Sequence, residues 1–235
     1  MHGDSSAQQL SLRLKLRDEA GFGNFHQGRN APAVDRLRRW LVTAAPEPLV
    51  VCGESGSGKS HLLNAACLAV KAEGGSALYL SLHEAAALPA AAVEGFEDSG
   101  LVCLDELEAL PSASEWQEGV LHLYNRVRDA GGHLLLASRS PPAAQKWTLP
   151  DLASRLRSLS VVQLALPRDD DLQALLTARA KGRGLVMPEE VAAYILKRAR
   201  RDTGVLLGIL DKLDEASLRH QRRLTVPFVK HILGW

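Results

Sequence analysis

"PLVVCGESGSGKS", residues 48–60, decides how the rest of the chain is read. Four apolar residues run into a turn with three glycines, and Lys59 and Ser60 then open a segment of helical periodicity. Residues 53–60 carry the whole GxxxxGK[ST] pattern, with the buried strand before it and the helix after it that the pattern needs. Gly53, Gly56 and Gly58 let the backbone fold around phosphates with its amides turned inward, and Glu54, Ser55 and Ser57 fill the loop between them. The helix N-terminus adds partial positive charge. Lys59 is expected to reach the β- and γ-phosphates and Ser60 to ligate Mg²⁺. The bland alternative is a chance glycine-rich turn; a complete motif with both flanks outweighs it. ADP or ATP with Mg²⁺ is the expected cofactor.

Working outward, strands and helices alternate. "SALYLSL" (76–82), "LVCLDEL" (101–107), "HLLLAS" (133–138) and "SVVQLAL" (160–166) read as strands, with helices over 59–74 and 114–132. That alternation predicts an α/β parallel sheet flanked by helices. After Pro167 the pattern changes to four helical stretches with no strand between them. The expected division is a tail at 1–20, an α/β nucleotide-binding domain at 21–166 and a small all-helical lid at 167–235.

The strand "LVCLDE" supplies a second signal. An acid at the carboxyl end of a strand beside a phosphate loop can hold Mg²⁺ through water, which is the role expected of Asp105; Glu106 can polarise attacking water. Taken alone, the pair is a strand ending in solvated acids. Ser138 and Arg139 lie at the end of another strand, where a polar group can sense a γ-phosphate.

Composition sets limits. The 235 residues are 46% hydrophobic and 23% charged, ordinary for a globular chain. A net charge of +1 gives no whole-molecule attraction for nucleic acid, although a local basic patch stays open. Cys52, Cys67 and Cys103 sit in apolar surroundings without metal spacing, and read as buried free thiols in a reducing compartment. No leader-type apolar segment and no run of membrane-spanning length is seen, so a cytoplasmic protein without membrane contact is expected.

These residues carry a resemblance. The phosphate loop, the "LDE" strand, the next strand and the helical end resemble an AAA+ ATPase, and more narrowly the DnaA initiator family. "GFGNFHQGRNAPAVDRLRRWL" (21–41) is similar to that family's F-x-N-F-x-x-G-x-N segment, which wraps adenine; Phe25 and Asn30 are its counterparts here. The "GKSHLL" helix start also matches, bringing His61 into the nucleotide site. "DLASRLRS" (151–158) resembles the arginine-finger segment, with Arg155 as the finger. "QLSLRL" (9–14) is similar to the clamp-binding peptide of the short, Hda-type members; Gln9, Leu10, Ser11, Leu12 and Leu14 would bind there. "RRLTVPFVKHIL" (222–233) is also like theirs.

The resemblance implies a negative regulator of DNA replication initiation. Such a protein binds nucleotide, docks on the DNA polymerase sliding clamp, and stimulates ATP hydrolysis by the initiator DnaA through its finger. Its own ATPase would be weak. Homo-oligomers and a DNA contact stay open. The competing reading is a self-assembling AAA+ ATPase of the helicase-loader type, which has no need of a clamp peptide.

Two positions depart from the family pattern. Family lids offer an arginine to the nucleotide within an acid-x-Arg stretch; "DTGVLLGILDKL" (202–213) has Gly204 there, with Arg200 and Arg201 near in sequence. "SRSPP" (138–142) differs from the family's acid–arginine pair. Elsewhere bland readings lead. Lys197, Arg198, Arg200, Arg201, Arg219, Arg222 and Arg223 read as solvated faces. Trp116 and Tyr124 read as core, and His61 and His122 by their own chemistry as packing residues. Without the resemblance, Arg155 and Arg157 are ordinary surface arginines.

Overall fold

The computed structural model describes residues 20–85, 87–112 and 114–235, with the side chains of 111–114 excepted. The leucine-rich peptide at 9–14 lies outside the described residues.

Five short strands form the centre: β1 (Leu49–Cys52), β2 (Ala77–Ser81), β3 (Leu101–Asp105), β4 (His133–Ser138) and β5 (Ser160–Gln163). All pair in parallel in the order β2-β3-β4-β1-β5. Parallel strands must be joined by crossovers, and the chain supplies helices: α1 (Ala31–Leu41), α2 (Lys59–Ala72), α3 (Leu82–Ala85), α4 (Ser114–Asp129) and α5 (Pro150–Arg157). Because each strand is covered on both sides, apolar residues run almost continuously along β1 and β3, and every residue of both is buried.

Alternate residues of one strand serve different layers. Val50, Val102, Leu104, Leu134 and Leu136 pack with α4 and α5. Val51, Leu101, Cys103, Leu135 and Ala137 pack with α1 and α2. The α/β sheet flanked by helices is the expected fold class.

Four more helices follow: α6 (Asp169–Gly182), α7 (Glu189–Arg198), α8 (Thr203–His220) and α9 (Val226–Leu233). They make a C-terminal helical lid with its own apolar cluster, centred on Leu172, Leu176, Val191, Ile195, Leu206, Leu210 and Val229. Asp202 caps α8 by accepting the Val205 N–H, and Thr225 caps α9 through the Phe228 N–H.

Several elements are shorter than expected. β3 stops at Asp105 because Glu106 turns to φ +60 and leaves the extended conformation. β5 stops at Gln163; the backbone of Ala165, two residues on, is engaged by the Asn30 side chain instead. Trp116 and Tyr124 are core, as expected, but His122 is exposed. Helical phase explains the correction. The buried face of α4 runs through Trp116, Val120, Leu123, Tyr124 and Val127, and His122 falls about 200° round from Val120.

Candidate nucleotide site

In a parallel sheet all carboxyl ends lie on one side, and ligands bind in the crevice there. Register brings the tips together: Cys52 pairs with Ser138 and with Gln163, and Ser81 with Asp105. A cavity of about 660 Å³ opens at these tips, between the sheet and the lid.

The phosphate loop forms one wall. Gly56 and Gly58 adopt φ +82 and +98, which side chains rarely allow. The Gly53 N–H donates to the Ser138 carbonyl, tying the loop to β4. Lys59 is 9% exposed and its Nζ donates to the carbonyls of Gly53 (2.7 Å) and Glu54 (3.1 Å). Burial pulls the Lys59 ammonium below the usual lysine range; Asp105 and Glu108 oppose that shift and Arg139 adds to it. The buried Ser57 Oγ has no protein partner. A cradle of this kind, with a half-satisfied ammonium and an orphaned hydroxyl, fits an anion of phosphate size.

Ser60 opens α2 and lines the cavity with Asp105 and Glu106. Asp105 is 1% exposed. Its Oδ1 accepts the Glu106 N–H (2.8 Å) and its Oδ2 accepts the Tyr79 hydroxyl (2.8 Å). Ser81 donates to Glu106 Oε2 at 2.5 Å. Thus the two acids that sequence singles out are each met by a hydroxyl from β2. Neither hydroxyl was legible beforehand: alternation puts Tyr79 and Ser81 on one face of β2, but only the strand order sets that strand beside the acids of β3. The hard oxygen donors Ser60 and Asp105, close to the loop, suit Mg²⁺.

At the β4 tip the two candidates part. Ser138 is fully buried, donating to Glu108 Oε2 (3.3 Å) and accepting from Gln145 Nε2 (2.6 Å). Arg139 lines the cavity and pairs with Glu108 (Nε–Oε1, 3.2 Å).

Residues 22–30 close the other end. The Phe25 ring lies over Gly58 and 5.4 Å from the His61 ring, and the Gly21 carbonyl is 3.0 Å from His61 Nε2. Asn30 also lines the cavity, but both ends of its amide are used: Nδ2 donates to the Ala165 carbonyl (2.9 Å) and Oδ1 accepts the Ala165 N–H (2.8 Å). It pins this segment to the stretch leading into the lid.

The lid contributes residues that sequence reading passed over. Asp171 pairs with His26 (3.2 Å), Arg179 donates to the Asn24 carbonyl (3.2 Å), and Thr203 donates to the Gly56 carbonyl (3.2 Å). Ser55 Oγ reaches Asp202 at 3.4 Å. The backbone N–H of Arg168 is the main cause of an Asp171 carboxyl held below the usual range, against burial and helped by His26. Gly204 faces the cavity; Arg200 and Arg201 are not part of its lining, and Arg201 pairs with Asp169 (2.8 Å). The basic stretch at Lys197–Arg201, Arg219, Arg222 and Arg223 is exposed apart from the half-buried Ala199 within it.

Arg155 stands apart from this cavity. It lies on α5, half-buried, with its guanidinium carbon 5.4 Å from the centre of the Tyr124 ring. Arg157 is exposed. Among the described residues no helix is long and apolar enough to cross a membrane.

Known proteins bear on this geometry. The fold is similar to that of domain III of the Thermotoga maritima replication initiation protein DnaA (TM-score 0.78, 19% identity, 92% of this chain and 96% of that one). It is also similar to AMPPCP-bound DnaA from Aquifex aeolicus (TM-score 0.69, 21% identity, 86% and 67%) and to the Aeropyrum pernix Orc1 protein in complex with DNA (TM-score 0.63, 17% identity, 95% and 67%). Residues 169–233 match the Hda lid-domain family. The chain thus joins a lid that matches the Hda lid-domain family to a body with the fold of DnaA domain III.

Proposed function

We propose that this protein is a negative regulator of replication initiation that holds ADP or ATP with Mg²⁺, docks on the DNA polymerase sliding clamp, and completes the hydrolytic site of the initiator DnaA by offering Arg155 in trans. The observation that carries the reading is the Hda-type lid at residues 169–233 joined to a DnaA-like body. The AMPPCP bound by the similar Aquifex aeolicus DnaA supports a nucleotide in the cavity.

In this reading the loop amides and Lys59 bind the phosphates, Ser60 and Asp105 hold the cation, and Phe25 and His61 border the base end. Bound nucleotide with Mg²⁺ supplies the phosphoanhydride and the charge on which hydrolysis acts. Glu106 is the group that can take a proton from water, and here it accepts the Ser81 hydroxyl. That tether suits a weak intrinsic ATPase.

Arg155 sits outside the protein's own cavity, on a ring that supports its side chain without neutralising it. Such an arginine is available to a neighbour's nucleotide. Arginine fingers are worth about 10³–10⁵ in rate where measured in phosphoryl transfer, because they neutralise charge developing in the transition state. Localisation in the cytoplasm and the clamp contact through Gln9, Leu10, Ser11, Leu12 and Leu14 belong to the same proposal.

The test uses three variants. Arg155→Ala should retain its own nucleotide and the clamp, yet lose stimulation of DnaA ATPase. Lys59→Ala should lose nucleotide by calorimetry. Gln9→Ala with Leu12→Ala and Leu14→Ala should lose the clamp in a pull-down at unchanged thermal stability. Wild-type stimulation by Arg155→Ala would overturn the finger assignment and make Arg157 the next candidate.

A further inference from the structure

Asp105 is a buried carboxylate whose orientation is set by two donors on opposite oxygens: the Glu106 N–H on Oδ1 and the Tyr79 hydroxyl on Oδ2, both at 2.8 Å. The first is local, a consequence of the turn that follows β3. The second comes from another strand. Tyr79 lies on β2 opposite Cys103, and its ring packs against the apolar cluster beneath α2, while its hydroxyl reaches the cavity. The ring is therefore anchored and the hydroxyl has little freedom. Tyr79 lines the cavity together with Ser60 and Asp105, the two side chains whose hard oxygens suit a divalent cation.

We propose that Tyr79 is a positioning residue for the cation-holding acid: its hydroxyl fixes the Asp105 carboxylate so that the remaining lone pairs face the Mg²⁺ that enters with nucleotide. The proposal rests on the nucleotide reading above and deepens it. Each carboxylate oxygen has capacity beyond the one bond it makes here, so the tyrosine orients the acid without using it up. Without the hydroxyl, Oδ2 keeps its burial but loses its partner, and the side chain is held from one side only. Partners behind a metal-holding carboxylate commonly matter about 10–100-fold in metal affinity. Loop amides and Lys59 bind phosphate without help from Tyr79, so affinity in the absence of cation should not depend on it.

The experiment measures ADP affinity of the full chain by calorimetry, once with Mg²⁺ and once with EDTA. The ratio of the two is the gain due to the cation. Tyr79→Phe keeps the ring and removes only the hydroxyl. Its affinity in EDTA should stay within about twofold of wild type, while the gain falls about tenfold or more. Asp105→Asn should lose the gain as well, and the double variant should lose no more than Asp105→Asn alone, since the tyrosine acts through that acid. An undiminished or increased gain in Tyr79→Phe overturns the proposal, as do additive losses in the double variant. Failure of wild type to bind ADP at all would instead sink the nucleotide reading, and this inference with it. A lost gain in Tyr79→Phe with EDTA affinity also lost would mark a structural role and overturn the positioning one.

Discussion

Gly58 is the position where the loop is most sensitive to a single methyl group. Its φ is +98, a region that costs an L-residue about 1–2 kcal/mol. A Cβ built there would lie 2.5 Å from Phe25 Cε2 and 3.2 Å from Cζ, so the ring must retreat by roughly 1 Å to reach ordinary contact near 3.5 Å. Phe25 is half-buried and leans on His61, so it can move, but only by giving up that contact. Overpacking of this kind costs about 1–3 kcal/mol. We therefore expect Gly58→Ala to lose about 2–4 kcal/mol in urea unfolding, with a melting temperature lower by roughly 5–15 °C for a chain of this size. The two causes separate in a cycle with Phe25→Ala. Removing the ring should return the steric share of the loss, about half, and leave the backbone share. A loss below about 1 kcal/mol in Gly58→Ala, or strict additivity in the cycle, would refute the reasoning.

Three further outcomes follow from other contacts. Asn30→Ala removes both bonds to Ala165 and should cost about 2–3 kcal/mol in urea unfolding, with Asn30→Asp losing at least as much near pH 7, because it sets a buried carboxylate oxygen against the Ala165 carbonyl. Asp202→Asn preserves the cap of α8, since Asn and Asp cap about equally, but removes a charge beside Ser55 and Gly56; stability should hold within about 0.5 kcal/mol while ADP affinity, by calorimetry, rises roughly 3–10-fold. Cys52, Cys67 and Cys103 are buried, with burial pushing Cys52 up to about 11 and Cys103 up as well, so iodoacetamide near pH 8 should label none of them in the native protein and all three once it is unfolded.

What could be read from sequence was what is local. The phosphate loop declares itself because two glycines, a lysine and a serine must fall at fixed offsets, and the acids of β3 because an apolar run ends in them. Fold class followed from strands and helices taking turns. What could not be read was anything that depends on which strand lies beside which, or on how the lid docks. Tyr79 and Ser81 look like ordinary strand residues until β2 is placed at the edge next to β3. Asp171 and Arg179 are two turns apart on α6 and look like any charged helix face, yet they meet His26 and Asn24 from the far end of the chain. Asn30 shows the reverse case. Its motif points to a base-side contact, while its amide is spent on Ala165.

Gly204 is the position where fold and function can be told apart. Its φ lies outside the left-handed region, and an added Cβ would meet only Asp202 Oδ1, at 3.1 Å. Backbone geometry therefore does not demand glycine there, and a glycine inside a helix costs about 1 kcal/mol relative to alanine. Its effect is on the cavity: at the start of α8, position 204 brings no side chain to the lining. The lid's fastenings to the body described above run elsewhere. Thr203 holds the Gly56 carbonyl, Asp202 holds Ser55, and Asp171 and Arg179 hold the segment that carries Phe25. Two arginines line the cavity beyond Lys59: Arg139, carried by the β4 tip and paired with Glu108, and Arg179 of α6, which donates to the Asn24 carbonyl. A ligand can shift an equilibrium only by as much as it binds one state better than the other. In the proposed nucleotide-bound state, position 204 contributes no side chain to such a difference, and Arg139 acts from the body. A lid anchored through these protein contacts fits the proposal that the protein keeps its nucleotide and acts on a partner's.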